Sequence, residues 1–355
     1  MRKLQEILKK IHSVDKKSFE RTQMRLDNLT KPVGSLGRLE ELSKIVVAIT
    51  GKKGPELRNK VVFVFAGDHG VTEEGVSAYP KEVTAQMVYN FIRGGAAINV
   101  LSRHIGAEVV VADLGIAEEL KIKNEKLKIK KINYGTKNFT RGPAMTEEEA
   151  IKSIEAGIEI FEEEFIRRRI DIVATGDMGI GNTTSSSAIT SVVTGASVES
   201  VTGRGTGIDN NKFQRKIEII KKAISVNSPD SKNAIDVLSK LGGFEIGGLV
   251  GVILAGASKK VPVVIDGFIS GASALIAVLL NPSVKDYLIA SHVSEEPGHK
   301  IQLEYLGLKP ILNLNMRPGE GTGAVLAMNI IEASCRILNE MATFSSAKVS
   351  RGFSG

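Results

Sequence analysis

Cysteine is almost missing from this chain: Cys335 is the single one in 355 residues. That excludes an internal disulfide framework and points to a reducing compartment. Cys335 has apolar neighbours at helical spacing, Ile331 and Leu338, so it reads as a buried, inert thiol rather than a nucleophile. Long hydrophobic runs are missing too. The apolar stretches at 249–257 and 272–280 are short and interrupted by glycine or serine, too short to span a bilayer. The opening MRKLQEILKKIHSVDKK has no continuous apolar core and does not read as a secretory signal. The expectation is a cytoplasmic protein with no membrane partner. The pattern GxxxxGK[ST] does not occur, which argues against a P-loop NTPase. A formal charge of +7 is modest for this length. It suits anionic small molecules and does not by itself argue for nucleic acid.

Glycine, by contrast, is plentiful at 36 residues, as α/β enzymes require around their ligands. Leu4, Ile7, Leu8 and Ile11 form one stripe of a helical N-terminus. Ser35 reads as the N-cap of a second helix carrying Leu36, Leu39, Leu42 and Val46. Short apolar runs then alternate with helix-length amphipathic segments. VVFVFA (61–66) and EVVVADL (108–114) read as strands, with a helix from Pro80 towards Ile105 between them. Thr146 and Glu149 form a capping box for a helix to about Arg167. Further strands fall at 171–175, 261–266, 287–292 and 311–316, and a last helix at about 322–344.

Buried strands alternating with helices predict a mostly parallel, doubly wound α/β sheet with helices on both faces. The termini, 1–29 with 321–355, lack strands and are expected to form a small helical domain beside a large domain at 30–320. In LKIKNEKLKIKKIN (120–133), Lys121, Lys123, Lys126, Lys128, Lys130 and Lys131 alternate with Ile or Leu. No aromatic residues interleave, so sheet-edge protection explains them better than a nucleic-acid surface.

In open α/β sheets, ligands bind beyond the carboxyl ends of the strands. The polar residues of this chain recur there: Asp68 and His69, Gly176 to Thr184, Asp266, His292 and Ser294, and Glu320. TGDMGIGNTT offers Gly179, Gly181, Asn182, Thr183 and Thr184 either as a phosphate-binding helix start or as a plain turn capped by Asn182 or a threonine. TGRGTG (202–207), with Lys216 further on, is a second candidate anion site, though a glycine-rich connector looks the same. SHVSEEPGHK invites a metal reading, but Pro297 interrupts the helix that would align His292 with His299. His69 and His104 have ordinary explanations as loop and helix-end residues.

RPGEGTGA (317–324) matches GxGxxA between a strand and a helix. Glu320 would repel a pyrophosphate there, and the chain ends too soon for the second strand of a dinucleotide site. The alternatives are a general base held by glycines at a strand end, and a first-turn residue favoured by the helix dipole.

LTKPVGSLGRLEEL (29–42), FAGDHGVTEEGVSAYPKEVTAQMV (65–88) and GGAAINVL (94–101) recur together with GDMGIGNTT, GGFEIGGLVG, PVVIDGFISGA, SHVSEEPGH and RPGEGTGA. In that order they resemble the nicotinate-nucleotide–dimethylbenzimidazole phosphoribosyltransferase family over nearly the whole length. The resemblance implies a Rossmann-like domain with a small helical domain, a homodimer, and no metal or organic cofactor. It also implies transfer of the phosphoribosyl group of nicotinate mononucleotide to 5,6-dimethylbenzimidazole, with inversion at the anomeric carbon.

Glu320 then matches the family's catalytic glutamate, and Asp177 the second carboxylate, where many relatives carry Glu. Pro318 stands where relatives often have Leu. Gly176, Gly179, Gly181, Asn182, Thr183, Thr184, Gly203, Gly205, Thr206, Lys216 and Ser294 are implied for the phosphoribosyl site, and Tyr79, Gln86, Met87 and Met316 for the base pocket. A phosphorylase-like enzyme and a non-catalytic nucleotide-binding relative are the competing readings; a retained Glu320 weighs against both.

Overall fold

The computed structural model describes residues 2–122, 124 and 126–350. Lys123 of the lysine-rich segment, and residues 1 and 351–355 of the terminal segments, lie outside these. Six strands form one parallel sheet: β1 (Lys60–Gly67), β2 (Ala107–Gly115), β3 (Leu127–Ile129), β4 (Ile172–Met178), β5 (Val263–Ile265) and β6 (Leu288–Ala290). Their order is β3-β2-β1-β4-β5-β6, the doubly wound order in which the direction of winding reverses between β1 and β4. Two more strands, β7 (His292–Ser294) and β8 (Leu312–Met316), pair only with each other. The run at 311–316 is therefore a strand as expected, but outside the main sheet. Asn315 holds φ of +53° inside it, and two residues of β7 span four of β8, a bulge that splays this ribbon from the sheet end.

The two faces of β1 explain the layering. Val61, Phe63 and Phe65 point into one core, against the Glu147–Arg168 and Phe244–Ser258 helices. Val62, Val64 and Ala66 point into the other, which holds Val88, Ile98, Val325 and Met328 from the Val83–Arg93, Ala97–Ile105 and Thr322–Glu340 helices. The whole strand is buried, so its apolar run is continuous rather than alternating.

Thr146 and Glu149 make the anticipated reciprocal cap, with Glu147 and Glu148 in the first turn and Arg167 and Arg168 in the last. At the sheet edge, β3 contains Lys128 and is followed by Lys130, which pair with Glu163 and Glu159 of that helix.

Three local expectations are corrected. The helix from Pro80 breaks at Gly94, where φ is +80°, and restarts at Ala97, with Asn99 accepting from the Ala96 amide. Ser35 is not an N-cap, because the helix at Arg38–Thr50 starts from Gly37. At the other glycine turn Gly181, not Asn182 or a threonine, is the N-cap of the Asn182–Thr194 helix, and no side chain caps it. Near the termini, Leu26, Leu29, Val47 and Leu338 form a separate small cluster, and Leu29 bridges to Thr343. The Arg2–Leu8 helix packs elsewhere, with Leu4 and Ile7 in the core beside the 147–168 helix.

Candidate active site

The reversal point between β1 and β4 opens a crevice beyond the strand ends, and a cavity of about 350 Å³ lies there. Its wall takes Asp177 and Gly179 to Thr183 from the turn after β4, and Gly205 and Thr206 from the TGRGTG loop. Ser294 and Glu296 follow β7, and Arg317 to Gly319 follow β8. Segments more than a hundred residues apart thus meet at one end of the sheet, as the strand-end pattern anticipated.

Lys216 sits in the Asn210–Asn227 helix with its side chain wholly buried. Its ammonium donates to Thr183 Oγ1 at 2.9 Å and to the Gly203 carbonyl at 3.2 Å. Among the described residues it makes no ion pair. Burial lowers its pKa to about 8, while the Glu296 charge acts the other way. Thr206 Oγ1 accepts the Ala78 amide at 3.0 Å and so ties this loop to residues 76–79. A buried cation thus stands against a hydroxyl of the cavity wall, the pair of donors an anion requires.

Asp177 lines the same cavity. Asn182 donates to its Oδ2 at 3.0 Å. Burial, followed by the charges of Asp266 and Glu245, raises its carboxyl well above the ordinary value. A cationic group entering the cavity would favour its ionised form.

Glu320 lies in a turn of three consecutive left-handed residues, Gly319 (φ +71°), Glu320 (+64°) and Gly321 (+89°). For a residue with a Cβ that backbone costs about 1 kcal/mol or more. What enforces it is the close approach of Gly176, where any Cβ would run into the Glu320 carbonyl. From below, Asp266 accepts the Gly321 amide at 3.2 Å and the Ala324 amide at 2.9 Å. Asp266, read from the sequence as a ligand candidate, is thus occupied in capping the Thr322–Glu340 helix.

The Glu320 carboxylate does not line the cavity wall, although Pro318 and Gly319 do. It faces the Ile98 amide at the start of the Ala97–Ile105 helix, and its Oε2 is buried without a hydrogen-bond partner among the described residues. Burial raises its pKa, the Ile98 amide opposes the rise, and the Asp266 charge adds to it.

Of the phosphoribosyl candidates, Gly179, Gly181, Asn182, Thr183, Gly205, Thr206 and Ser294 line the cavity, and Lys216 reaches it through Thr183. Gly176, Thr184 and Gly203 stand behind the wall. None of Tyr79, Gln86, Met87 and Met316 lines it: Tyr79 and Gln86 are exposed, and Met87 packs against the core that holds Ile98.

Ser77, Met178, Phe268 and Arg317 line the cavity and were not singled out from the sequence. Met178 lies inside GDMGIGNTT and Phe268 inside PVVIDGFISGA, which was the available signal. His292 and His299 do come close, with ring centroids 5.9 Å apart. Burial depresses them to about 4 and about 3, and His299 Nδ1 accepts the Ser294 amide. Among the described residues no group of three or more His, Cys, Asp or Glu could hold a metal.

A phosphoribosyltransferase family model matches residues 11–349. The chain belongs to this family. It is 54% identical over 349 residues to the nicotinate-nucleotide–dimethylbenzimidazole phosphoribosyltransferase of Geobacter sulfurreducens, covering 98% of this chain and 99% of that one. The enzyme of the same name from Desulforamulus reducens is 55% identical over 350 residues, with the same coverage. A crystal structure of nicotinate-nucleotide–dimethylbenzimidazole phosphoribosyltransferase from Thermus thermophilus superposes with a TM-score of 0.90 at 43% identity, covering 95% of this chain and all of that one.

Proposed function

We infer that this phosphoribosyltransferase moves the 5-phosphoribosyl group of nicotinate mononucleotide onto 5,6-dimethylbenzimidazole. The products are nicotinate and α-ribazole 5′-phosphate, a step in assembling the nucleotide loop of cobalamin. The full-length relatives bear the name of this activity. The observation that carries the reading within the molecule is Lys216: a wholly buried ammonium, held by Thr183 and Gly203 beside the cavity, with no ion-pair partner among the described residues. Such a charge, eased only in part by the Glu296 carboxylate nearby, stays costly until a further anion joins it, and the phosphate of a mononucleotide is that anion. Thr183, Gly205, Thr206 and Ser294 add hydroxyl and amide donors around it.

The remaining roles follow from the bond changes. One nitrogen of the benzimidazole attacks the anomeric carbon while the bond to the pyridinium nitrogen breaks, and that electron pair neutralises the departing ring. Attack from the face opposite the leaving group inverts the centre from β to α. The acceptor's other nitrogen must lose its proton, and Glu320 takes it as general base. Its raised pKa makes it a better proton acceptor than an exposed glutamate. Asp177, on the cavity wall, offers negative charge to the ribosyl cation as it develops. Tyr79, Gln86, Met87 and Met316 are assigned to the acceptor pocket on the resemblance alone. No metal or organic cofactor is needed for this chemistry.

The deciding experiment incubates the protein with both substrates and follows nicotinate release and the α-nucleotide, beside Glu320→Gln. Product from the wild type and little from the variant, with nucleotide binding intact, supports the reading. An inert wild type over a panel of bases returns the protein to the non-catalytic class. A homodimer in the cytoplasm is the accompanying proposal, checked by sedimentation equilibrium and cell fractionation. No helix among the described residues is long and apolar enough to cross a membrane.

A further inference from the structure

Glu296 stands where a carboxylate is least expected. It follows β7, is buried, and lines the same cavity wall as Thr183 and Gly205. Its Oε1 accepts the Gly205 amide at 2.8 Å. Its Oε2 is pressed against Gly203, which has no room for a Cβ on that side, and finds no hydrogen-bond partner among the described residues. A buried carboxylate oxygen left without a donor is destabilising, because it has given up water and gained nothing in return. Glu296 therefore holds one good hydrogen bond and one unfavourable position. That is the description of a group able to leave.

The neighbours say what would replace it. A Cβ on Gly205 would lie 2.9 Å from Thr183 Oγ1 and 3.4 Å from the Lys216 ammonium, so both stand beside this position of the loop. The same amide is thus committed to an internal anion in the free protein and is the natural donor for an external one.

We propose that the Glu296 carboxylate occupies, in the free enzyme, the place that the nucleotide's phosphate takes on the Gly205 amide, and that it turns aside when the phosphate binds. This rests on the phosphate-site reading given above. Two consequences follow from Coulomb's law alone. The occupant keeps the glycine loop in its binding shape and keeps Lys216 company until the nucleotide arrives. It also weakens phosphate binding, because a carboxylate and a phosphate side by side repel. In a reaction whose product carries the same phosphate, that weakening assists release. Glu296 is in this sense a positioning residue that sets affinity, not a participant in bond making.

The test uses inorganic phosphate as a competitive inhibitor against nicotinate mononucleotide, in wild type, Glu296→Gln and Lys216→Met. Glutamine keeps an acceptor for the Gly205 amide and removes the charge. The expected result is a drop in both the phosphate inhibition constant and the nucleotide KM, on the order of tenfold, with Lys216→Met raising both. Unchanged or raised constants in Glu296→Gln overturn the proposal while leaving the phosphate site standing. Indifference of phosphate inhibition to Lys216→Met removes the phosphate site itself, and the proposal with it. Should Glu296→Gln fail to fold, Glu296→Asp serves instead. Its shorter arm cannot reach Gly205, so it should lower the same constants by a smaller factor, and a rise counts against the idea.

Discussion

His69 Nε2 and Glu245 Oε1 lie 2.6 Å apart, and neither side chain reaches solvent. The pair sits beneath the glycine turn after β4: a Cβ on Gly179 would be 3.5 Å from both side chains, and one on Gly181 would be 3.2 Å from the His69 Cβ. His69 is therefore no ordinary loop residue, but a prop for the turn that carries Asp177 and Thr183. Truncating Glu245 to Ala would leave the imidazole without its partner. We expect a loss of about 2–4 kcal/mol in urea unfolding. A fall in kcat should accompany it, measured where the variant remains folded, because the turn loses its support. Unfolding identical to wild type would show the pair to be dispensable.

The left-handed turn at Glu320 makes a kinetic prediction. Glu320→Gln keeps the size and the strained backbone but cannot accept the acceptor's proton. It should lower kcat by roughly 10²–10⁴ with little change in nucleotide KM. The wild type adds a pH signature. Burial raises the Glu320 carboxyl above 4.5, and a base must be ionised to act. Activity should therefore fall on acidification with an apparent pKa above 4.5, and a plateau persisting below that value would remove Glu320 from the role.

Much of this arrangement was legible in the sequence, for local reasons. VVFVFA announces a strand buried on both faces, and Thr146 with Glu149 announces a helix start, because burial and capping leave their marks within a few residues. The strand-end pattern located the cavity wall for the same reason. Other features have no local mark. Apolar periodicity runs on through Gly94 and Gly95, hiding the break between two helices. The segment 312–316 reads like any strand, and only its bulged pairing with β7 puts it outside the sheet. His69 meets Glu245 across 176 positions and Gly205 meets Glu296 across 91. Contacts at such separation are made by the fold, not by a pattern of residues.

Asp266 makes the stability depend on pH. Burial raises its pKa from 3.8 to about 7, and the amides of Ala324 and Gly321 only partly offset this. A raised carboxyl means that the native state holds a proton the unfolded chain has already released. Its contribution is complete below about 3.8 and is lost as pH rises through about 7. Asp68, Asp113 and Asp177 are shifted in the same direction. Urea unfolding should therefore show stability declining between about pH 4 and about pH 7. Asp266 alone accounts for a difference of up to about 4 kcal/mol over its full range. In Asp266→Asn the slope should flatten. An equal slope in the variant would place the effect on other groups.

Gly157 separates packing from propensity. It lies in the middle of the Glu147–Arg168 helix, where alanine ordinarily stabilises by about 0.5–1 kcal/mol. Here a Cβ would overlap the carbonyl of Gly248 on the Phe244–Ser258 helix, and Gly251 is in equally close contact with Ile154 and Gly157. The obstacle is backbone on both sides, so no side chain can swing away. Glycines let the two helices approach closely here, and the Phe244–Ser258 helix also packs on β1 and carries Glu245 in its first turn. Gly157→Ala should therefore destabilise, by about 1–3 kcal/mol or more, read as a lower midpoint in thermal or urea unfolding. Because the helix shift reaches Glu245, kcat should fall as well. A raised midpoint would mean that propensity wins and the helices have room to part.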